Sequence, residues 1–244
     1  MPTIRRAASR REMGQTAAAD IAAELRARLA RAGHVRMIFA AAPSQSEMLA
    51  ALIAEPSIAW ERVEAFHMDE YLGLSPDAPQ RFGNWLRAAI FDRLSFGAVH
   101  LIGPTDDPPA AIAAYTAALA AAPIDLVCLG IGVNGHLAFN DPPVADLSDP
   151  VALKVVELDP ICRRQQVDDG CFPRLEAVPT HAITLTIPRL LQAERLFCVV
   201  PGAAKRDAVR RALTAPIGPA CPATALRLHP DCTLYLDPES APDA

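Results

Sequence analysis

The chain has 244 residues, of which 51% are hydrophobic and 21% charged, a composition typical of a globular domain. Its formal net charge of −5 argues against a general attraction to nucleic acid or anionic lipid, and no apolar run approaches the length of a bilayer span. We therefore expect a cytoplasmic protein that binds neither nucleic acid nor membranes. A homo-oligomer is compatible with this composition.

The predicted elements alternate between strands and helices along the chain. The small, basic residues 1–12 are expected to form a mobile N-terminal arm, followed by a single α/β domain over residues 13–244. Hydrophobic spacing predicts helices at 15–32, 46–54, 81–94, 110–121 and 205–213. Strands are predicted at 35–40, within 60–68, and at 99–102, 124–129, 153–158, 181–188, 196–200 and 233–236. This order predicts a doubly wound, mostly parallel sheet with helices on both faces, a Rossmann-like three-layer fold.

The stretch IDLVCLGIGVNGHLAFNDPP, residues 124–143, is the most informative part of the chain. Its apolar run 124–129 reads as a strand buried on both faces. Three glycines follow, interspersed with the polar residues Asn134, His136, Asn140 and Asp141. Polar groups also follow other predicted strands, at Ser44–Ser46, Asp69–Tyr71 and Lys205. In a parallel sheet all of these strand ends open on one edge, which predicts a site there.

Gly130, Gly132 and Gly135 also match the spacing of a dinucleotide-binding fingerprint, with Glu157 at roughly the distance of a ribose ligand. That motif needs a helix to open at the third glycine, whereas Pro142-Pro143 would stop such a helix after about two turns. We therefore favour a catalytic loop over a nucleotide site.

Neither the cysteines nor the histidines show a metal-binding spacing. The six cysteines contain no CxxC pair, and the six histidines form no HExxH motif. The cysteines are best read as small buried hydrophobic residues in a reducing compartment, and no metal is expected.

The strand-end residues suit acid–base chemistry on a phosphorylated sugar. Asp69 can take a proton from carbon, His136 can move one between oxygens, and Asp141 can orient the histidine. Lys205 and the amides near Ser44–Ser46 can hold a phosphate. No cofactor is required for such a reaction.

Two segments carry a family resemblance. HMDEYLGL at 67–74 and GIGVNGHLAFNDPP at 130–143 resemble the signature segments of the glucosamine-6-phosphate deaminase/isomerase family, with weaker similarity from about residue 36 to residue 237. The resemblance implies conversion of glucosamine 6-phosphate to fructose 6-phosphate and ammonia, in N-acetylglucosamine catabolism, without a redox cofactor. It implies catalytic roles for Asp69, Asn134, His136 and Asp141. It implies substrate binding by Ser44, Gln45, Ser46, Glu70, Gly135, Lys154, Arg164 and Lys205.

The chain also departs from the family pattern. Asn134 stands where many members have Asp, and Asp141 where they have Glu, so position 134 can only form hydrogen bonds. The usual Thr-Gly-x-Thr-Pro phosphate loop is Ala41-Ala42-Pro43-Ser44-Gln45. A family arginine is replaced by Ala152 and another falls near Gln166, with Arg163 and Arg164 close enough to substitute. Two alternatives therefore stay open: a 6-phosphogluconolactonase-type hydrolase and a non-catalytic sugar-phosphate-binding protein of the same fold.

Overall fold

The computed structural model describes residues 1–242. In these residues the β-strands form two sheets and are interspersed with seven α-helices. The strands are β1 Thr3–Arg6, β2 Val35–Phe39, β3 Val63–His67, β4 Asp69–Tyr71, β5 Ala98–His100, β6 Leu126–Leu129, β7 Leu153–Glu157, β8 His181–Leu185, β9 Arg195–Val200 and β10 Cys232–Leu236. The helices are α1 Arg10–Ala32, α2 Ser46–Ala54, α3 Phe82–Ala89, α4 Pro108–Ala120, α5 Pro160–Asp168, α6 Ile187–Leu191 and α7 Arg206–Thr214.

The main sheet has seven parallel strands in the order β1-β10-β9-β6-β2-β3-β5. The chain runs from β2 outward to β3 and β5, and then crosses to β6 on the other side of β2. The carboxyl ends of β2 and β6 therefore flank the point where the winding reverses, which is where open α/β sheets bind ligands.

Alternate residues of each central strand pack on opposite faces of the sheet. In β2, Met37 and Phe39 pack in a core with α1 and α2, whereas Ile38 packs in a second core with α4 and α7. This two-sided burial explains why the strands read as continuous apolar runs. It confirms the predicted three-layer, doubly wound architecture.

Two predicted strands do not join the main sheet. β7 and β8 pair antiparallel with each other, and β8 pairs antiparallel with β4 in a separate three-stranded sheet. β4 follows β3 after the single residue Met68, so the chain bends out of the main sheet there. The small sheet holds Asp69 opposite Thr184 of β8.

The N-terminal segment differs from the mobile arm predicted over residues 1–12. Residues 3–6 form β1, which pairs in parallel with β10 and covers its otherwise open backbone edge. Helix α1 then begins at Arg10, where the Ser9 hydroxyl accepts a hydrogen bond from Glu12 N at 3.1 Å. Arg10 Nε also lies 2.7 Å from Glu47 Oε1 of α2. Among the described helices, none has the length and apolar character needed to span a membrane.

Candidate active site

A pocket opens at the carboxyl edge of the main sheet, beside the switch point between β2 and β6. Its wall comprises the segment after β2 with Ser44 and Gln45, the start of β4 with Asp69, and the glycine-rich turn after β6 with His136. Phe82 of α3, Gln165 and Gln166 of α5, and Lys205 before α7 complete it. Side chains far apart in sequence meet here because parallel strands end on the same edge.

Asp69 is 6% exposed and lines this pocket at the first position of β4. Burial raises the pKa of Asp69 well above its usual range, and the neighbouring charge of Glu70 raises it further. Within the described chain no hydrogen-bond donor offsets this burial. The result is a carboxylate that accepts a proton more readily than an exposed aspartate does.

His136 and Asp141 form a buried histidine–carboxylate pair beside the pocket. His136 Nδ1 lies 2.8 Å from Asp141 Oδ1, but that oxygen lies away from the N–H direction of the ring, so the contact is not an aligned hydrogen bond. Such contacts often align only when substrate is bound. Burial of Asp141 opposes its ionisation, yet the contact with His136 and hydrogen bonds from Asn134 and Asp159 hold its pKa below the usual value.

Asn134 acts on this pair through hydrogen bonds. Its Nδ2 donates to Asp141 Oδ1 at 2.8 Å, and its Oδ1 accepts from the backbone N–H of His136 at 3.1 Å. The pocket wall does not include Asn134. It is therefore placed to position His136 and Asp141 rather than to exchange protons with substrate.

Two glycines allow the tight turn that presents His136. Gly132 N donates to His136 O at 3.0 Å, and a Cβ on Gly132 would lie 2.2 Å from the imidazole ring. Gly135 has φ +90°, and a Cβ there would lie 2.6 Å from Cys221 Sγ. Residues 130–140 form turns and no helix opens at Gly135, which argues against the dinucleotide alternative.

The pocket wall also carries side chains suited to an anion. Lys205 is 6% exposed, and burial lowers its pKa to about 8 despite the opposing charge of Asp169. Ser44 and Gln45 line the pocket beside it, while Ser46 begins α2 outside the pocket wall. Gln45 Nε2 donates to Val199 O at 3.1 Å, which leaves its buried Oε1 without a hydrogen-bond partner among the described residues.

Glu70 does not reach the pocket, contrary to the sequence-based expectation of substrate binding. Its carboxylate accepts hydrogen bonds from the backbone N–H groups of Tyr71, Phe82 and Gly83 at 2.9–3.0 Å, and it lies 3.3 Å from Arg81 Nη2. Phe82 and Gly83 lie at the N-terminus of α3, where a negative charge is stabilised. Glu70 therefore anchors α3 to β4.

Lys154, Arg164 and Gly135 also lie outside the pocket wall. Lys154 Nζ pairs with Asp149 Oδ2 and donates to Val144 O, both at 2.8 Å. Arg164 is exposed and lines a neighbouring surface depression.

Arg163 and Arg164, the expected substitutes for the missing family arginines, do not line the pocket. Arg163 donates to the carbonyls of Leu175 and Val178. Lys205 is the single cationic side chain of the pocket wall in the described chain.

The structure also brings two side chains of α5 to the glycine-rich turn, which the sequence did not indicate. Gln165 Oε1 accepts from Val133 N at 3.0 Å, and its Nε2 donates to Asp169 Oδ2 at 3.1 Å, which ties α5 to the glycine-rich turn. Cys162, also on α5, lies against His136 and Asp141, with the ligand atoms of all three within 4.8 Å of one another. No local spacing signals this cluster, because α5 comes back to the turn only in three dimensions.

The fold and pocket together define an α/β protein with a carboxylate, a histidine and a lysine in one pocket at its topological switch point. The chain belongs to the family described as glucosamine-6-phosphate isomerases/6-phosphogluconolactonase, whose model matches residues 8–156.

Curated relatives support this membership over most of the chain. The glucosamine-6-phosphate deaminase of Listeria innocua is 32% identical, over 86% of this chain and 88% of the relative. The enzyme of the same name from Exiguobacterium sibiricum is 36% identical, over 73% of this chain and 69% of the relative. Among solved structures, a monomeric glucosamine-6-phosphate deaminase superposes with a TM-score of 0.89 at 25% identity, covering 98% of both chains.

Proposed function

We propose that this protein is an amino-sugar-phosphate deaminase that converts glucosamine 6-phosphate to fructose 6-phosphate and ammonia. The observation that carries the proposal is that Asp69, His136 and Lys205 line one pocket, with Asp141 buried beside the histidine. The names of the relatives at 32–36% identity support the same activity.

In the proposed reaction, His136 moves the proton between the ring oxygen and the C1 hydroxyl, which opens the pyranose. Asp69, ionised, then removes the proton at C2 and returns a proton to C1. The C1 carbonyl oxygen gains a proton and the amine gives one up, which leaves a hydroxyl at C1 and a ketimine at C2. Water adds to this imine, the carbon–nitrogen bond breaks, and ammonia leaves with the proton it needs. No electrons are exchanged with a cofactor.

The phosphate would be held by Lys205 together with neutral donors around Ser44. A single full positive charge, rather than several, supports a modest grip on the anion. Because that cation has a depressed pKa of about 8, the site should bind phosphate best below this pH. We assign the reaction to amino-sugar catabolism in the cytoplasm.

The test is incubation with glucosamine 6-phosphate in deuterated water, following ammonia release and deuterium uptake into fructose 6-phosphate. Asp69→Asn and His136→Ala should each lower the rate by about a hundredfold or more, the scale of a lost acid–base group. Asp92→Asn changes an exposed acid outside the pocket wall and should leave the rate unchanged. Near-normal activity in either pocket variant would reject the assigned roles.

Two other outcomes would reject the proposal itself. Hydrolysis of 6-phosphogluconolactone without ammonia release from the amino sugar would favour the lactonase alternative. Binding of the sugar phosphate by calorimetry with no turnover, unchanged in Asp69→Asn, would favour a non-catalytic binding protein.

A further inference from the structure

Three buried side chains of different chemistry meet behind the pocket. His136 offers a ring nitrogen, Asp141 a carboxylate oxygen and Cys162 a sulfur, and these atoms all lie within 4.8 Å of one another. A mixed nitrogen, oxygen and sulfur set is typical of Zn²⁺, which accepts all three donor types.

The histidine nitrogen in this cluster has a charged neighbour but no aligned hydrogen bond. His136 Nδ1 is buried and, despite its closeness to Asp141 Oδ1, has no aligned hydrogen bond with any described residue. A charge contact without an aligned hydrogen bond leaves the lone pair of this nitrogen able to turn toward a cation that the other two ligand atoms also face. This observation is independent of the residue types in the cluster.

We infer that His136, Asp141 and Cys162 form an inhibitory site for a Zn²⁺-class cation, and that the bound metal takes His136 out of the proposed reaction. Metal–ligand distances of about 2.0–2.3 Å place tetrahedral ligand atoms about 3.5 Å apart, so the three side chains need to shift by about an ångström. A water would supply the fourth ligand, as is usual where a protein provides three.

The surroundings of the cluster are those of an oriented metal site. Asn134 Nδ2 and Asp159 N donate to the two oxygens of Asp141 at 2.8 and 3.4 Å and hold the carboxylate in place. Gly132 lies against the imidazole and restricts its rotation. Hydrogen bonds to the residues that ligate a metal orient those residues and raise the affinity for the metal.

Metal binding would release a proton and would remove the basic nitrogen of His136. The thiol of Cys162 loses its proton to solvent when the Zn–S bond forms, so binding releases protons. Coordination uses the lone pair of His136 Nδ1, which leaves the ring proton on Nε2. The imidazole then has no free basic nitrogen, and Asp141 no longer balances its charge. The inhibitory effect rests on the proposed function, whereas the metal site itself does not.

The test separates these two parts. Co²⁺ added to the whole chain should give a thiolate-to-metal absorption band with about one ion per chain, measured without any turnover. Zn²⁺ should displace it and lower deaminase activity, and a chelator should restore the activity.

Cys162→Ser should lose the band and weaken Zn²⁺ inhibition by about 10–100-fold, while keeping its metal-free activity. Cys171→Ser is the matched control: this half-buried cysteine, just beyond α5, is outside the cluster and should keep both properties. Cys162→Ala provides a second variant should serine disturb the fold, as judged by circular dichroism. A band that persists in folded Cys162→Ser or Cys162→Ala, or no band in the parent chain, would overturn the site. A band without deaminase activity would keep the site and reject only the proposed function.

Discussion

Replacing Asp69 with asparagine should stabilise the fold while it abolishes the proposed reaction. The side chain is buried, and burial together with the charge of Glu70 raises its pKa well above the usual range. Each unit by which a pKa rises on folding corresponds to about 1.4 kcal/mol of cost for the ionised form. Asparagine has a similar shape without the charge, so we expect a gain of about 1 kcal/mol or more at neutral pH.

The pH dependence of this gain has a definite sign. A carboxyl whose pKa is raised in the folded chain holds its proton more tightly there than in the unfolded chain. The cost is therefore absent below the unfolded pKa of about 3.9 and grows as pH rises through the folded pKa. Asp69→Asn removes this cost, so its advantage over the parent chain should be small in acid and widen toward neutral pH.

Thermal unfolding followed by circular dichroism from about pH 4 to pH 8 measures the effect. For a chain of this length, 1 kcal/mol shifts Tm by about 2–4 °C. The same preparation should lose about a hundredfold or more in deaminase rate. If Asp69→Asn has the lower Tm at neutral pH, or a Tm difference that does not change with pH, burial of the Asp69 charge is not the governing effect.

Asp141→Asn is the matched control, because it should do the opposite. Contacts with His136, Asn134 and Asp159 outweigh burial and hold the pKa of Asp141 low, so its ionised form contributes stability above the unfolded pKa. That contribution is lost as pH falls through the folded pKa. The asparagine variant should therefore be less stable than the parent at neutral pH, with a difference that shrinks in acid.

Three further predictions concern the pocket and its support. The kcat/KM profile should be bell-shaped: it rises with pH as Asp69 loses its proton, above the usual carboxylate range, and falls as Lys205 loses its proton near its pKa of about 8. A plateau well above pH 8 would contradict the role of the lysine. Gly132→Ala should displace the ring of His136 and lower kcat while the circular dichroism spectrum is unchanged, because a Cβ there would lie 2.2 Å from that ring. Glu70→Gln should lower the free energy of unfolding, measured in urea, by about 1–3 kcal/mol and leave KM unchanged. A raised KM would instead support the contact between Glu70 and substrate that the sequence predicted.

The architecture could be predicted because its signals are local. Apolar runs such as 35–40 and 124–129 are long enough to mark buried strands, and their alternation with helices over residues 15–129 indicates a parallel sheet. The separate sheet of β4, β7 and β8 could not be predicted in this way, because periodicity identifies a strand without naming its partner. The same limit applies to β1, whose pairing with β10 joins the two ends of the chain.

The site shows the same division between local and non-local signals. Asp69, His136 and Lys205 follow buried strands, and the shared edge of a parallel sheet brings such residues to one pocket. Glu70 is adjacent to Asp69 but points to the opposite side of β4, where the free amides of α3 take its charge. Sequence gives the position of a charge along a strand, but the partner that the charge meets depends on which helix packs beside it. Cys162 has no local signal at all, since its neighbours come from a different segment.

The contrast between the two buried carboxylates is what gives the pocket its chemistry. Asp69 has burial and a like charge but no donor, so its proton affinity is high; Asp141 has two donors and an imidazole, so it stays ionised. Carboxylates whose pKa values are separated in this way take different parts in acid–base reactions. In the proposed reaction the first would exchange protons with a carbon acid, and the second would hold a negative charge beside His136 while that histidine transfers a proton. Exchanging their surroundings, rather than their identities, would exchange these roles.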